Sequence, residues 1–259
     1  MKRDGSLLRR AVSLVETLPE VCRNDVRFGV PFVLPRWFRM PRRVRVAGRW
    51  IPIEFPDEEG VDAELLACML RNVYGLGRGL GRKPDGVRTI VDVGANLGFF
   101  SLAAQGFYPH AEIHAYEPNA RIVPMLRANA ANLNIQVFAE ALGGAASTVT
   151  LRDDGPSNRA RVVPETTEGV PVSQVTLETA VERMGGAVEL LKLNCEGAEW
   201  GILQPGPWWR AVKNLRMEYH LFGGETAEQA KEMVEALGFR VTRLRQTGDD
   251  GGILWAARR

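Results

Sequence analysis

The residues best suited to chemistry lie in the stretch LLKLNCEGAEW, positions 190–200. Glu196 and Glu199 closely follow an apolar run that ends at Asn194. Two carboxylates just past a buried strand suit a general acid/base pair, half of a metal site, or the charged first turn of a helix. We expect Glu196 to face the site and Glu199 to begin a helix. His220, which closes the predicted strand NLRMEYH, is the leading candidate for a general base; the alternative is a hydrogen-bonded histidine at a strand edge.

A glycine loop gives the strongest signal for a bound ligand. In VDVGANLGFF, a predicted strand runs into Gly94, and Gly98 follows at the start of a predicted helix. Missing side chains at both positions let a ligand approach the backbone closely. The spacing G-x-x-x-G differs from the G-x-G-x-x-G of pyrophosphate-containing dinucleotides, so a nicotinamide dehydrogenase ranks last among the candidate functions. Asn96, between the two glycines, either caps the helix or faces the ligand.

A second signal is Glu117, at the tip of the next predicted strand in HAYEPN. An acid about 20 residues beyond such a glycine loop can accept hydrogen bonds from ribose hydroxyls. The alternative is a solvated acid at a strand end, but the glycine loop before it favours the ribose role.

The elements that position these residues alternate between strand and helix from residue 89 onward. Strands are predicted at RTIVDVG, AEIHAYE, IQVFAEAL, AVELLKLN and NLRMEYH, with short strands at TVTLRD and VPVSQVTL. Helices are predicted at LGFFSLAAQGF, from near Pro124 through MLRANAANLN, and at AEQAKEMVEALG. This alternation predicts a doubly wound α/β fold, a parallel sheet covered on both faces. FRVTRLRQ and GGILWAAR predict a closing hairpin with an antiparallel last strand. Glycine loop, ribose acid and closing hairpin together indicate S-adenosylmethionine (SAM), whose sulfonium tolerates a nearby carboxylate such as that of Asp92.

We predict that residues 1–88 form a less regular α+β extension. Residues 89–259 are predicted to form the cofactor-binding domain. RVRVAGRWIPIEF predicts a β-hairpin turning at Ala47-Gly48, and DAELLACMLRNVYGL an amphipathic helix. The hairpin lies within an Arg-rich, aromatic stretch, LPRWFRMPRRVRVAGRW, of a kind that binds single-stranded nucleic acid or an anionic substrate. The alternative is a hairpin whose arginines face water and whose aromatics pack on the core. The residues concerned are Arg36, Trp37, Phe38, Arg39, Arg42, Arg43, Arg45, Arg49 and Trp50.

Composition bounds the remaining classes. The chain has 259 residues, 45% of them hydrophobic, and a net charge of +2, which does not indicate bulk polyanion binding. Cys22, Cys68 and Cys195 lack C-x-x-C spacing, so we predict a reducing compartment and no metal site. Charges interrupt every apolar run near the start, and FGVPFVLPRWF is short and broken by proline. We therefore expect a cytoplasmic protein that does not enter a membrane.

The chain resembles the FkbM family of SAM-dependent methyltransferases over roughly residues 60–259. The matching stretches are VDVGANLGFFSLAA, YEPNA, LLKLNCEGAEWGIL and the ending LGFRVTRL…GGILWAAR. The resemblance implies a Rossmann-like class I core with a seven-stranded sheet, and methyl transfer to hydroxyls of sugars or polyketide-type natural products. It also implies cofactor contacts, which fall at Asp92, Gly94, Asn96 and Gly98 for the methionine end, at Glu117 and the adjoining Pro118 for the ribose, and at Glu140 and Ala141 for the adenine.

One position departs from the family pattern. Relatives usually carry Asp where this chain has Asn194. An amide there hydrogen-bonds but cannot accept a substrate proton, and it binds Mg²⁺ poorly. If that Asp were the family's base, this chain would need another, and His220 and Glu196 are the candidates. We expect neighbouring Cys195 to point away from the site as a small buried hydrophobe.

These observations predict a SAM-dependent O-methyltransferase acting on a hydroxyl of a small molecule. The extension, residues 1–88, and the region 145–175 are expected to shape the acceptor pocket. Two alternatives stay open: an RNA methyltransferase that uses the Arg-rich stretch, and a SAM-binding protein without catalysis, which Asn194 suggests.

Overall fold

A computed structural model describes residues 18–31, 38–80, 86–153, 155–163 and 168–259. The strands are β1 (Arg43–Val46), β2 (Arg49–Pro52), β3 (Thr89–Val93), β4 (Glu112–Tyr116), β5 (Ile135–Phe138), β6 (Ala141–Gly143), β7 (Ser147–Arg152), β8 (Arg161–Val163), β9 (Val170–Thr176), β10 (Leu190–Leu193), β11 (Asn214–His220), β12 (Phe239–Gln246) and β13 (Gly251–Arg258). The helices are α1 (described over residues 18–28), α2 (Val61–Leu65), α3 (Phe99–Phe107), α4 (Val123–Ala130), α5 (Leu177–Arg183), α6 (Glu199–Ile202) and α7 (Ala227–Ala236).

A seven-stranded sheet in the order β12-β13-β11-β10-β3-β4-β5 forms the centre of the molecule. Strands β11, β10, β3, β4 and β5 are parallel to one another, whereas β13 runs antiparallel to both β11 and β12. The predicted fold, a doubly wound and mostly parallel sheet with an antiparallel closing hairpin, is confirmed. From β3 the chain builds the sheet outward through β4 and β5, and later returns to add β10 on the other side of β3. Ligands of such sheets bind at this reversal, beyond the carboxyl ends of the strands.

Both faces of this sheet are covered, which explains its continuous apolar strands. Successive residues of one strand enter opposite hydrophobic clusters. Ile90 and Leu190 pack in the cluster that contains α3, while Val91 and Leu191 pack in the cluster that contains α5 and α7. The first cluster also holds the predicted N-terminal hairpin, which the structure confirms with β1 paired to β2 and a turn at Ala47-Gly48.

The N-terminal helix differs from its prediction in one feature. After Leu65 the α-helical turns of α2 give way to a π-helical turn, Leu66–Leu70, closed by the Arg71 N–H donating to the Leu66 carbonyl (2.8 Å). Such turns are rare and occur often at functional sites. Here the helix lies over the carboxyl ends of the central strands, so its residues form one wall of the site described below.

The stretch IQVFAEAL does not form the single strand that its apolar run predicts. It splits into β5, which pairs with β4, and β6, which pairs with β9 in a second sheet of order β6-β9-β7-β8. Between them Glu140 turns outward to Arg183 of α5. Helix α5 and strand β8 were not predicted; α5 begins at Thr176, whose hydroxyl accepts a hydrogen bond from the Thr179 N–H (3.2 Å).

Candidate active site

A cavity of about 330 Å³ opens at the carboxyl ends of β3, β4 and β10. Its floor is the glycine loop and the ends of these strands, its roof is the segment from α2 to Tyr74, and its far walls come from the second sheet and the closing hairpin. The lining residues that could act on a ligand through a polar or ring atom are Glu64, Cys68, Tyr74, Asn96, Tyr116, Glu117, Ser157, Asn194, Cys195, Glu196, Glu218 and Thr247.

The glycine loop packs directly against the end of β10. Gly94 has φ 69°, and a Cβ built on it would lie 1.7 Å from the carbonyl oxygen of Asn194, so only glycine allows this approach. The N–H groups of Gly94 and Ala95 both donate to the Tyr116 carbonyl (3.0 Å each), which ties the loop to β4. Gly94 and Asn96 line the cavity. Gly98 does not appear on the described cavity wall; it has φ 83° at the start of α3 and packs on Leu126.

Asp92 is placed behind the cavity rather than in it. Its side chain is fully buried, accepts a hydrogen bond from the Ser101 hydroxyl (2.6 Å) and pairs with the Lys192 ammonium (2.9 Å). Lys192 also donates to the carbonyls of Val93 (3.1 Å) and Gly94 (2.7 Å). Burial by itself lowers the pKa of Lys192, but Asp92 outweighs this and raises it, so the ammonium stays charged. The Asp92–Lys192 pair thus lies behind the glycine loop and supports it through the bonds from Lys192 to these carbonyls.

Glu117 closes β4 and lines the cavity beside Pro118. Its two carboxylate oxygens accept hydrogen bonds from the backbone N–H groups of Asn96 (2.8 Å) and Asn119 (2.9 Å). Burial raises the pKa of Glu117, against the lowering effect of these two bonds. The carboxylate is therefore fixed at the cavity wall, where its remaining lone pairs can accept from ribose hydroxyls.

The two residues predicted beside the adenine, Glu140 and Ala141, lie in different environments. Ala141 lines the cavity, together with Leu142. Glu140 is ion-paired with Arg183, and its carboxylate does not belong to the described cavity wall. Because that carboxylate already has a cationic partner, its placement argues against the adenine contact that the resemblance implied.

The end of β10 brings Asn194, Cys195 and Glu196 to the cavity. Glu196 has φ 51° and the following glycine φ 101°, so the chain turns sharply and presents the Glu196 side chain at the wall. The side-chain oxygen of Asn194 is buried without a hydrogen-bond partner in the described ranges, which leaves an acceptor for a bound ligand. Cys195 lies past the strand end, where it lines the cavity and packs against the hydrophobic cluster that contains α5 and α7. Its orientation away from the site stays a prediction.

His220 connects the two acids of the opening stretch. Its Nδ1 lies 3.2 Å from Glu199 and its Nε2 lies 3.4 Å from Glu196. Burial by itself disfavours the imidazolium, but these two carboxylates raise the pKa of His220 to about 10. The ring is therefore protonated at neutral pH, a charge state that argues against the neutral imidazole a general base requires.

Glu199 has a larger role than the start of a helix. It does begin α6, as predicted, but it is fully buried. Its carboxylate accepts hydrogen bonds from the backbone N–H groups of Cys195 (2.7 Å) and Gly197 (2.9 Å) as well as contacting His220. Glu199 thus holds the strained turn that carries Glu196.

The sequence analysis missed several cavity residues, among them Glu64 of α2, Tyr74, and Glu218 of β11. The Tyr74 hydroxyl donates to Glu218 (3.1 Å), and the Asn96 side-chain amide donates to Glu64 (2.7 Å). Glu64 is the acid within the apolar pattern DAELLACML, and Glu218 alternates with His220 along β11. Both spacings signal acids on buried faces, and buried acids need a partner or a ligand.

Residues 92–244, more than half of the chain, match the family described as Methyltransferase FkbM domain. Methyltransferase sdnD from Sordaria araneosa is 31% identical over 197 residues, which cover 60% of this chain and 75% of that protein. The chain belongs to the FkbM methyltransferase family. It is accordingly a methyltransferase that uses SAM, and its sheet is that of a class I methyltransferase.

Two solved structures match this FkbM methyltransferase at low identity. Fibrillarin from Aeropyrum pernix, in complex with natively bound SAM, is 11% identical, with 72% of this chain and 74% of that chain covered and a TM-score of 0.45. The fibrillarin pre-rRNA processing protein of Methanococcus jannaschii is 13% identical, with 73% and 74% covered and a TM-score of 0.46.

Among the described residues, no helix is long and apolar enough to cross a membrane.

The cavity residues fit the cofactor of the FkbM family. The volume lies in the range of small-molecule sites. Glu117 offers fixed acceptors for a ribose, and the unpartnered oxygen of Asn194 offers one for a hydrogen-bond donor. Four carboxylates line the cavity, whereas the described wall contains no Lys, Arg or His. A cofactor that carries a sulfonium and an ammonium suits this charge distribution.

Proposed function

We propose that the chain is an O-methyltransferase that acts on a hydroxyl of a small molecule, such as a sugar, a glycoside or a polyketide-type product. The observation that carries this proposal is the position of Glu196 and Glu218 in the cavity that also holds the glycine loop. An alcohol must lose its proton as it is methylated, and carboxylates at the reaction site are suited to accept it. An amine or thiol acceptor would have less need of them.

The cofactor supplies an activated methyl group, and the chain's own residues position the acceptor and take its proton. Glu196 and Glu218 are the cavity carboxylates on the acceptor side. The protonated ring of His220 lies 3.4 Å from Glu196 and forms an ion pair with it. Glu218 instead accepts from the neutral Tyr74 phenol, and burial raises the pKa of Glu218 above its ordinary value, which suits this carboxylate to accept a proton.

His220 and Asn194 take supporting parts in this proposal. A direct role of His220 as general base stays a prediction, and its raised pKa argues against it. His220 orients Glu196, with Glu199 as the third member of the array. Asn194 cannot accept a proton, so its amide is assigned to binding cofactor or acceptor.

The acceptor wall favours a small molecule with apolar surface. Leu151 and Val162 of the second sheet and Ile253 of the closing hairpin line the cavity, and Tyr74 adds an aromatic ring. Tyr74 belongs to the N-terminal segment, and Leu151 and Val162 belong to the 145–175 region, which supports the proposed part of both in acceptor binding.

RNA methylation is less well supported, because four arginines of the Arg-rich stretch contact the protein itself. Arg42 lies 5.5 Å from the Phe55 ring and Arg43 4.8 Å from the Trp50 ring. Arg45 and Arg49 donate to the backbone carbonyls of Arg27 (3.2 Å) and Asn132 (3.3 Å). Arg36 and Trp37 lie outside the described residues. A cavity lined by carboxylates would also repel a phosphate backbone.

The test incubates the protein and methyl-labelled SAM with a panel of neutral glycosides and phenolic polyketides, and with single-stranded RNA as the contrasting acceptor. We expect label in a small-molecule product as a methyl ether. Glu218→Gln should then lower kcat by about 100- to 10,000-fold, while Glu228→Gln on the exposed face of α7 should not change it. Labelled RNA, or label on an amine or thiol only, would overturn the proposal.

A further inference from the structure

Glu64 lies outside the motifs that the sequence analysis identified. It lies on α2, outside the family match at residues 92–244, yet its side chain lines the cavity. Its Oε2 accepts a hydrogen bond from the side-chain amide of Asn96 (2.7 Å), and Asn96 lies inside the glycine loop. The N-terminal segment thus places a carboxylate directly over the loop assigned to the methionine end of the cofactor.

The other three cavity carboxylates already have definite partners. Glu117 is held by two backbone N–H groups, Glu196 faces the protonated ring of His220, and Glu218 accepts from the Tyr74 phenol. Glu64 has one neutral amide as its hydrogen-bond donor, and the Lys192 ammonium is committed to Asp92 and two carbonyls. Glu64 is therefore the cavity acid that most needs a cation from a ligand.

We infer that the Glu64 carboxylate binds the α-ammonium of the cofactor's methionine. A charged hydrogen bond of this kind is strong inside a cavity that excludes water. The inference rests on the identity of the cofactor and not on the chemistry of the acceptor, so it stands or falls separately from the proposed O-methylation.

The inference has a consequence for protons. Burial, together with the charge of Glu117 and against that of Lys192, raises the pKa of Glu64 to about 8. Near pH 7 the carboxyl is therefore mostly protonated before the ligand binds. An arriving ammonium stabilises the carboxylate, so binding should release close to one proton per ligand. A ligand without the ammonium should release none from this group.

The experiment is calorimetric titration at about pH 7 with SAM, S-adenosylhomocysteine and 5′-methylthioadenosine. The second ligand keeps the ammonium but lacks the sulfonium, and the third lacks both while keeping the adenosine. Repeating each titration in two buffers of different protonation enthalpy gives the number of protons released. The variant is Glu64→Gln, whose side-chain carbonyl can still accept from Asn96. The control is Asp62→Asn, an acid-to-amide change on the exposed face of the same helix.

We expect Glu64→Gln to raise the Kd of SAM and S-adenosylhomocysteine by about 10- to 100-fold, to abolish proton release, and to leave 5′-methylthioadenosine unchanged. Asp62→Asn should leave the Kd of every ligand unchanged. Weakening of all three ligands alike would assign Glu64 to the ribose or to the loop structure, and weakening of SAM alone would assign it to the sulfonium. Either result, or no effect on any ligand, would overturn the inference.

The wild-type protein provides a second test that does not depend on the variant folding. S-adenosylhomocysteine should release protons near pH 7, and 5′-methylthioadenosine should not. Equal release by the two ligands would contradict the assignment.

Discussion

Replacing Gly94 by alanine should separate the glycine loop from β10 and disable cofactor binding. The new Cβ would lie 1.7 Å from the Asn194 carbonyl oxygen, whereas ordinary contact begins at 3.4 Å. The backbone fixes the position of the Cβ, and the oxygen is a backbone atom, so no side-chain rotation relieves the overlap. Either the loop or the end of β10 must move by more than an ångström, and both carry residues of the cavity wall.

The matched control is Gly79→Ala. Gly79 has φ 66°, close to the 69° of Gly94, but a Cβ added there would meet nothing within 4 Å. Both substitutions therefore share the backbone cost of a left-handed alanine, about 1–2 kcal/mol. Only Gly94→Ala adds the overlap, so the difference between the two variants isolates the close approach.

The assays are urea unfolding and calorimetric titration with S-adenosylhomocysteine. Gly79→Ala should lose about 1–2 kcal/mol of unfolding free energy and bind the ligand normally. Gly94→Ala should lose clearly more stability, and its Kd should rise by roughly 100-fold or more, as for a misplacement of about 1 Å. If the two variants unfold and bind alike, the packing of the loop against β10 has no functional consequence and this reasoning is refuted.

Three further predictions concern the charged groups. The folded-state pKa of His220 is about 10, so its contribution to stability is fully present below about pH 6.5. Above that pH the contribution falls by about 1.4 kcal/mol per pH unit up to pH 10. Urea unfolding at several pH values should show this slope, and His220→Gln should flatten it. Lys192→Met leaves the Asp92 charge buried without its cation and should cost about 3–5 kcal/mol of unfolding free energy, much of it recovered in the double variant with Asp92→Asn; an additive double-mutant cycle would contradict the pairing. Glu117→Gln should raise the Kd of S-adenosylhomocysteine by about 10- to 100-fold, while Glu140→Gln, already paired with Arg183, should change it less than about twofold; equal effects would restore an adenine role for Glu140.

Strands and helices of the core could be predicted because their apolar runs are long and periodic. The pattern was insufficient at IQVFAEAL, where eight continuous residues suggested one strand. The residues before and after Glu140 are similarly apolar, so the sequence contains no local signal for a break. The split into β5 and β6 depends on their partner strands β4 and β9, which are distant in sequence. The π-helical turn after Leu65 was likewise not predictable, because it has no sequence signature of its own.

The cofactor side of the site was more accessible to sequence analysis than the acceptor side. Gly94 and Glu117 belong to a motif of fixed spacing, and the structure places both on the cavity wall. Asp92 belongs to the same motif, but its burial beneath the loop depends on Lys192, which lies 100 positions later in the chain. Glu64 and Glu218 each lie within a pattern that indicates a buried face, but only the folded chain brings both acids to the same cavity.

The position of β13 has a consequence for how the protein is made. Of the strands in this sheet it is the last to be synthesised, yet it lies inside the sheet, between β11 and β12. Until it emerges, β12 has no described partner and the edge of β11 is open to other chains. A nascent chain stalled anywhere before residue 251 would therefore expose a template for aggregation, and a ribosome-bound intermediate should be far more sensitive to protease than the finished protein.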